Sequence, residues 1–211
     1  MFQSSLVKHS HQPMVFSGAI TSLEKRKTEL LSYVTIDEYE RANKLKRKNQ
    51  REVFLLIRGY LRFLLSTILK KDPQSIGIAY EPYGKPYLDG EYGYHFNVSH
   101  SKNRYLIGIR TSGLIGVDVE CSRLVPSIHP MFFHSEEIAH LSKETKQNRV
   151  NHWLWIWTRK EAFGKAIGEG LSERTIKFSV LKDLIDFKGK KYALVTEHRP
   201  SFTQSVCVEM E

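Results

Sequence analysis

Cysteine is nearly absent from this chain: Cys121 and Cys207 are the two among 211 residues. Two thiols make no disulfide framework and, by themselves, no zinc site. A reducing cytoplasm is the expected compartment. No stretch approaches the roughly 18 consecutive apolar residues of a membrane span. Met1 to Met14 lacks the apolar h-region of a secretory signal, so neither membrane insertion nor export is expected. There is no repeat at a solenoid period and no low-complexity tract. Acidic side chains run short: 23 Asp plus Glu against 32 Lys plus Arg leave a net charge of +9. Such a surface favours anionic partners, whether nucleic acid, anionic lipid, a phosphorylated small molecule or an acidic protein. The rest is ordinary for a globular chain, 41% hydrophobic and 26% charged. That excludes wholesale disorder and suffices for a core without staples in one or two domains.

Met1 to Ile20 reads as an extended segment or edge strand, and its His9/His11 pair is a weak metal-ligand pattern. Thr35 and Glu38 form a capping box, so a helix is expected to start there. A basic run follows, Arg41, Lys44, Lys46, Arg47, Lys48 and Arg51. Phe54, Ile57, Leu61, Leu64, Leu65 and Ile68 then recur at helical spacing, a core-facing helix that Lys70, Lys71 and Pro73 close. Arg51, Arg58 and Arg62 share one face of it, either solvated or turned to an anion. Short strands are expected at Ile76 to Tyr80, Tyr94 to Val98, Tyr105 to Ile109 and Leu114 to Glu120, with a turn over Tyr83 to Tyr87. Thr111-Ser112-Gly113 is the expected boundary between two halves, 1–112 and 113–211. Ser135, followed by Glu136 and Glu137, reads as a helix start. Val150 to Ile167 is expected to be a second long helix, ended by Gly168 and Gly170; its Trp153 to Trp157 stretch is apolar on all sides, so length and the following Arg159 to Ala166 run, not periodicity, favour the helix. Ile176 to Val208 reads as strands and turns. The fold class is α+β, in two halves of similar make-up.

Four segments can carry chemistry. On a strand, Asp118 and Glu120 project side by side, and adjacent carboxylates repel unless a proton or cation lies between them. Hard oxygen donors of this kind suit magnesium; a solvent-facing edge is the bland alternative. Glu161 and Lys165, one helical turn apart, are a surface ion pair or else a third ligand or base beside a phosphate-facing lysine. Asn97-Val98-Ser99-His100-Ser101 carries hydroxyls and an imidazole from a strand into a loop, suited to phosphate oxygens. Gly84-Lys85-Pro86 holds a lysine out between a free and a fixed backbone residue, a nucleotide contact or only a turn.

The order and spacing of Gly84-Lys85-Pro86, Phe96-Asn97-Val98-Ser99-His100-Ser101, Ile115-Gly116-Val117-Asp118-Val119-Glu120 and Trp157-Thr158-Arg159-Lys160-Glu161-Ala162-Phe163-Gly164-Lys165-Ala166 closely resemble the 4′-phosphopantetheinyl transferases of the surfactin-synthetase-activating type. The resemblance runs from about Thr35 to Leu171. It implies a monomer of two similar α+β halves related by a pseudo-twofold axis, with coenzyme A in the cleft between them. It implies magnesium-dependent transfer of the phosphopantetheine arm of coenzyme A to a serine of an apo acyl or peptidyl carrier protein, releasing adenosine 3′,5′-bisphosphate. By resemblance, Asp118, Glu120 and Glu161 hold magnesium, and Lys165 contacts the phosphates. Glu161 is the expected proton acceptor. Asn97, Ser99, His100, Lys85 and Pro86 line the coenzyme A site. Family members place an arginine upstream of the Arg58/Arg62 stretch; here that position falls at Val53, and Arg51 is the nearest substitute.

A magnesium-dependent nuclease or phosphatase would explain the charge and the three carboxylates, but not Gly84-Lys85-Pro86 or the Asn97 to Ser101 loop. A nucleic-acid module would rest on Arg41 to Arg51, where no aromatics interleave and no recognition motif appears. Neither nucleic acid nor membrane is therefore an expected partner. Carrier identity is open, and Cys121 reads as a buried structural thiol.

Overall fold

The computed structural model describes residues 12–90, 93–122, 131–172 and 177–210. His9 and His11 lie outside them. The chain opens on edge strand β1 (Met14–Ala19) and two short helices the sequence did not announce, α1 (Ile20–Glu24) and α2 (Lys27–Ser32). Thr35 closes its capping box on α3 (Ile36–Asn43), its N–H donating to Glu38 Oε2 at 3.1 Å. Residues 44–47 turn the chain into α4 (Lys48–Leu69), whose C-cap Lys70 lies in the left-handed region at φ 53°. Pro73 opens a short 3₁₀ turn. A hairpin of β2 (Ile78–Tyr80) and β3 (Pro86–Leu88) follows, so the end of the expected turn is a strand. Next come β4 (His95–Ser101) and β5 (Arg104–Arg110). β5 pairs antiparallel with both β1 and β4. Leu56, Ile57, Leu61 and Leu65 of α4 pack on Phe96, Ile107 and Ile109 of this sheet.

A new sheet begins after the four linking residues 111–114. It holds β6 (Ile115–Cys121), β7 (Leu184–Phe187), β8 (Lys190–Arg199) and β9 (Phe202–Glu209) in the order β6-β9-β8-β7. Helices α5 (Ser135–Lys143) and α6 (Lys146–Ile167) connect β6 to β7. The two sheets repeat one plan. A first strand leads through helices to a 22-residue helix, and the last strand returns to pair with the first.

Of the two later helix starts, one falls where expected and one falls earlier. α5 begins at Ser135 as expected, capped by His134: the His134 N–H donates to Glu137 Oε2 at 2.8 Å, and its Nδ1 accepts from Glu136 N–H. α6 starts at Lys146 because Thr145 Oγ1 accepts from Asn148 N–H, and it ends at Gly168 with φ 77°. The middle of α6, from Trp153 to Trp157, is apolar on all sides because that stretch is largely enclosed. Trp153, Leu154, Ile156 and Phe163 are buried, and even Arg159 and Lys160 are only 1% exposed. Arg159 donates to the carbonyls of Val180 and Lys182. Lys160 pairs with fully buried Glu137 at 2.9 Å. Among the described residues, no helix is long and apolar enough to cross a membrane.

The sheets meet through Leu106, Ile115, Val117, Val119, Val206 and Val208. Gly108 permits the approach, since a Cβ there would lie 2.7 Å from both Ile115 Cδ1 and Val117 Cγ1. β4 and β6 run alongside each other, joined by side chains. Asn97 Oδ1 accepts from Val117 N–H at 2.9 Å, Ser99 Oγ from Val119 N–H at 3.3 Å, and Ser101 Oγ from Cys121 N–H at 3.2 Å. The period of two on both strands means they run parallel, and the outer edge of β6 is covered without a backbone ladder.

Candidate active site

The site grows from this seam. On β6 the valines face the inter-sheet core while Gly116, Asp118 and Glu120 take the other face. A Cβ on Gly116 would fall 2.0 Å from Ala162 O and 2.3 Å from Ala166 N, both backbone atoms. Only glycine lets α6 lie flush on the strand at that point. The alanines at the contact are each preceded by a candidate site residue, Glu161 and Lys165, which this packing brings beside the carboxylates of β6.

Lys165 Nζ is 2.6 Å from Asp118 Oδ1 and donates to Ser99 Oγ at 3.1 Å. Lys165 is thus the partner of a carboxylate on the strand, rather than half of an exposed helical pair. Ser99 Oγ also donates to Asp118 Oδ1 at 2.8 Å, and Ser101 Oγ donates to Glu120 Oε2 at 2.8 Å. Each serine therefore fixes one carboxylate and the backbone N–H that follows it. Asp118 is 4% exposed and its Oδ2 is buried with no hydrogen-bond partner. Burial pushes the Glu161 carboxyl up to about 7; the charges of Asp118 and Glu120 push the same way, and Lys165 opposes them. An orphaned buried carboxylate oxygen and a carboxyl lifted by its like-charged neighbours fit a divalent cation with oxygen ligands. The three carboxylates are not drawn to within 4.8 Å of one another; among the described residues the group so gathered is His140, Glu144 and His152.

The other face of β4 looks onto α4. Val98 and His100, with Phe54, Ile57, Arg58 and Leu61 of α4 and Pro86 of β3, line a pocket of about 150 Å³. Arg58 is 7% exposed. Its Nη2 donates to the Tyr80 hydroxyl at 3.0 Å and its Nε lies 3.4 Å from Glu38 Oε1, but its Nη1 is buried without a partner. An unpaired guanidinium N–H at an apolar pocket fits an anion such as a phosphate. His100, the exposed edge of the pocket, has its imidazole held below the ordinary value by desolvation and by the Lys165 charge.

The sequence-derived site residues separate into three groups. Asp118, Glu120, Glu161, Lys165 and Ser99 come together at the seam, and Pro86 and His100 at the adjoining pocket. Asn97, Lys85 and Arg51 are engaged in structural hydrogen bonds, Asn97 within the seam itself. Asn97 is 4% exposed and spends its Oδ1 on the seam. Lys85 Nζ donates to Ala166 O at 2.8 Å, binding the hairpin to the last turn of α6. Arg51 Nε donates to Leu45 O at 2.8 Å, closing the turn before α4. Arg58 and Arg62 are not a solvated face. Arg62 is 3% exposed, with Glu38 Oε2 at 2.7 Å and the carbonyls of Pro73 and Ile76 as further acceptors. Sequence reasoning did not assign Arg58 to the site. The signal was present: a charged residue in register with the apolar stripe of Phe54, Ile57 and Leu61.

Comparison with known proteins gives a consistent result. Residues 114–209 match the model of the 4′-phosphopantetheinyl transferase superfamily. The chain is 38% identical to slr0495 of Synechocystis sp. over 143 residues, 64% of this chain and 57% of that protein. It is 30% identical to the 4′-phosphopantetheinyl transferase ffp of Bacillus subtilis over 152 residues, 72% of this chain and 67% of that one. Against the 4′-phosphopantetheinyl transferase Sfp of Bacillus subtilis it is 26% identical over 193 residues, 87% and 86% of the two chains. The chain thus spans little more than half of slr0495.

Proposed function

Because the chain belongs to the 4′-phosphopantetheinyl transferase superfamily, we propose that the seam and its adjoining pocket transfer 4′-phosphopantetheine from coenzyme A to a serine of an apo acyl or peptidyl carrier protein. The other product is adenosine 3′,5′-bisphosphate. The observation that carries this reading is the set of Asp118, Glu120 and Glu161 brought beside Lys165 and Ser99, with an orphaned Asp118 oxygen and Glu161 lifted to about 7.

Asp118, Glu120 and Glu161 would hold magnesium. When bound, the ion neutralises charge on the pyrophosphate oxygens and favours departure of the bisphosphate. Lys165 adds a second positive charge where negative charge develops. Arg58 Nη1 and His100 would take a phosphate of coenzyme A, while Phe54, Ile57, Leu61, Pro86 and Val98 offer apolar walls to its adenine. The carrier serine Oγ attacks the phosphorus bearing pantetheine, its proton passes to Glu161, and the bond to the bisphosphate oxygen breaks. A bound cation would favour the charged, proton-accepting form of Glu161. The basic surface, at +9, complements an acidic carrier domain. The proposal includes a monomer with halves at 1–112 and 113–211 related by a pseudo-twofold axis, working in the reducing cytoplasm. The two buried free thiols are consistent with that compartment.

The test is intact-protein mass spectrometry of an apo carrier incubated with this chain, coenzyme A and magnesium. A mass gain of one phosphopantetheinyl group, lost with EDTA and with Glu161→Ala, is expected. Absence of both transfer and calorimetric coenzyme A binding would overturn the reading; binding without transfer points to a narrow carrier choice.

A further inference from the structure

At the junction of α5 and α6, far from the seam, three potential ligand atoms face one point. His140 Nε2 is 2.7 Å from His152 Nδ1, and Glu144 Oε1 is 3.4 Å from the same His152 nitrogen. The two imidazole rings lie 5.0 Å apart and 29° from parallel. All three atoms fall within 4.8 Å of one another. His152 sits nine positions before Glu161 on α6, a separation of about 13–14 Å along the helix axis and about half a turn around it. The cluster is therefore distinct from the carboxylates of the proposed active site.

The surroundings are built rather than incidental. Glu144 is the C-cap of α5 and Thr145 the N-cap of α6, so the connection between the helices is minimal. Arg149 clamps it, its Nε donating to Leu141 O at 3.1 Å and its Nη2 to Glu144 O at 3.0 Å. The ligand-bearing residues thus sit on rigid elements whose relative position is fixed. On one side the cluster opens into a cavity of about 560 Å³ lined by His140, Asn151, His152, Trp155, Leu181 and His198. The ligand side chains remain reachable, with His152 38% and Glu144 21% exposed.

We propose that His140, Glu144 and His152 form a second metal site that takes a transition-series divalent cation, zinc foremost, with water or a small anion in the fourth position facing the cavity. Two imidazole nitrogens and one carboxylate oxygen are a borderline donor set, preferred by zinc over magnesium, which seeks oxygen. Bonds of about 2.0–2.1 Å in a tetrahedron place neighbouring ligand atoms about 3.3 Å apart. The Glu144–His152 distance already meets this, and the imidazoles need only part by about 0.6 Å, within side-chain reach. The bound ion ties the end of α5 to the start of α6.

The test uses metal-free full-length protein titrated with Co²⁺ and with Zn²⁺, with magnesium in excess to occupy oxygen-only sites. The expected result is one equivalent of Co²⁺ bound with the intense visible bands of four-coordination. Zinc at about 100 times its Kd is expected to raise Tm by about 5–10 °C. His152→Gln and His140→Gln should each weaken binding at least about 100-fold, since even outer-shell partners are worth about 10- to 100-fold. His9→Ala/His11→Ala should leave it unchanged. Circular dichroism of the apo variants verifies their folding. Binding that survives both glutamine variants, binding lost only with the His9/His11 pair, or no stoichiometric binding at micromolar metal would each overturn the proposal.

Discussion

Glu161→Gln is the most informative single change, because it removes a charge while keeping shape. The carboxyl is lifted from 4.5 to about 7, first by burial and then by the charges of Asp118 and Glu120. A group whose folded pKa exceeds its unfolded value binds its proton more tightly in the native state. Stability contributed by that proton is fully present below about pH 4.5 and is lost as pH rises through about 7. The lift corresponds to about 3 kcal/mol at most. Residual solvent contact lowers this, so about 1.5–3 kcal/mol is the working range. In EDTA, wild type and Glu161→Gln should have equal urea-unfolding free energies near pH 4.5. At pH 8 the variant should be the more stable by about 1.5–3 kcal/mol, because the wild-type carboxylate is then charged beside two others. Magnesium should reverse the order at pH 8, stabilising wild type and leaving the variant unmoved, with transfer abolished in the variant. A glutamine variant that is less stable at pH 8 in EDTA would refute the reasoning. It would mean that Lys165 outweighs burial and the two like charges.

Three further outcomes follow from the same geometry. Gly116→Ala should destabilise by about 3 kcal/mol or more, read by denaturant unfolding, because its Cβ meets backbone atoms of α6 at 2.0 and 2.3 Å that cannot turn aside. Asn97→Ala should cost about 1–3 kcal/mol, since it leaves the buried Val117 N–H without its acceptor; an unchanged urea midpoint would remove the side-chain seam as a stabilising feature. Lys160→Met should cost about 3–5 kcal/mol by stranding the fully buried Glu137 carboxylate, and Glu137→Gln in the same background should recover part of it in a double-mutant cycle.

Much of this was legible in the sequence, for identifiable reasons. The capping box at Thr35, the apolar stripe on α4 and the stop at Gly168 are local signals, and local hydrogen bonds realise them. The alternation in Gly116-Val117-Asp118-Val119-Glu120 placed two carboxylates on one face because a strand has period two. What escaped lay in very short elements, in a cap ahead of its apolar run, and in long-range contacts. α1 and α2 are too short to show a period, and the start of α6 depends on Thr145, ahead of the apolar run. Arg58 looked like half of a basic face because burial of a guanidinium depends on Glu38 and Tyr80 arriving from other elements.

The seam is the most instructive case. Asn97, Ser99 and Ser101 invited a reading as phosphate contacts, being small and polar at the end of a strand. In the structure their first task is mechanical: they cap three N–H groups of β6. Yet Ser99 and Ser101 hold Asp118 and Glu120 with the same oxygens. Closing one sheet on the other and aiming the carboxylates are thus one event. If the sheets part, the donors that orient Asp118 and Glu120 leave together with β4, and the site loses its geometry. Changes at the seam should therefore depress transfer more than the stability of either half, a coupling that neither the spacing of the serines nor the identity of the carboxylates could disclose separately.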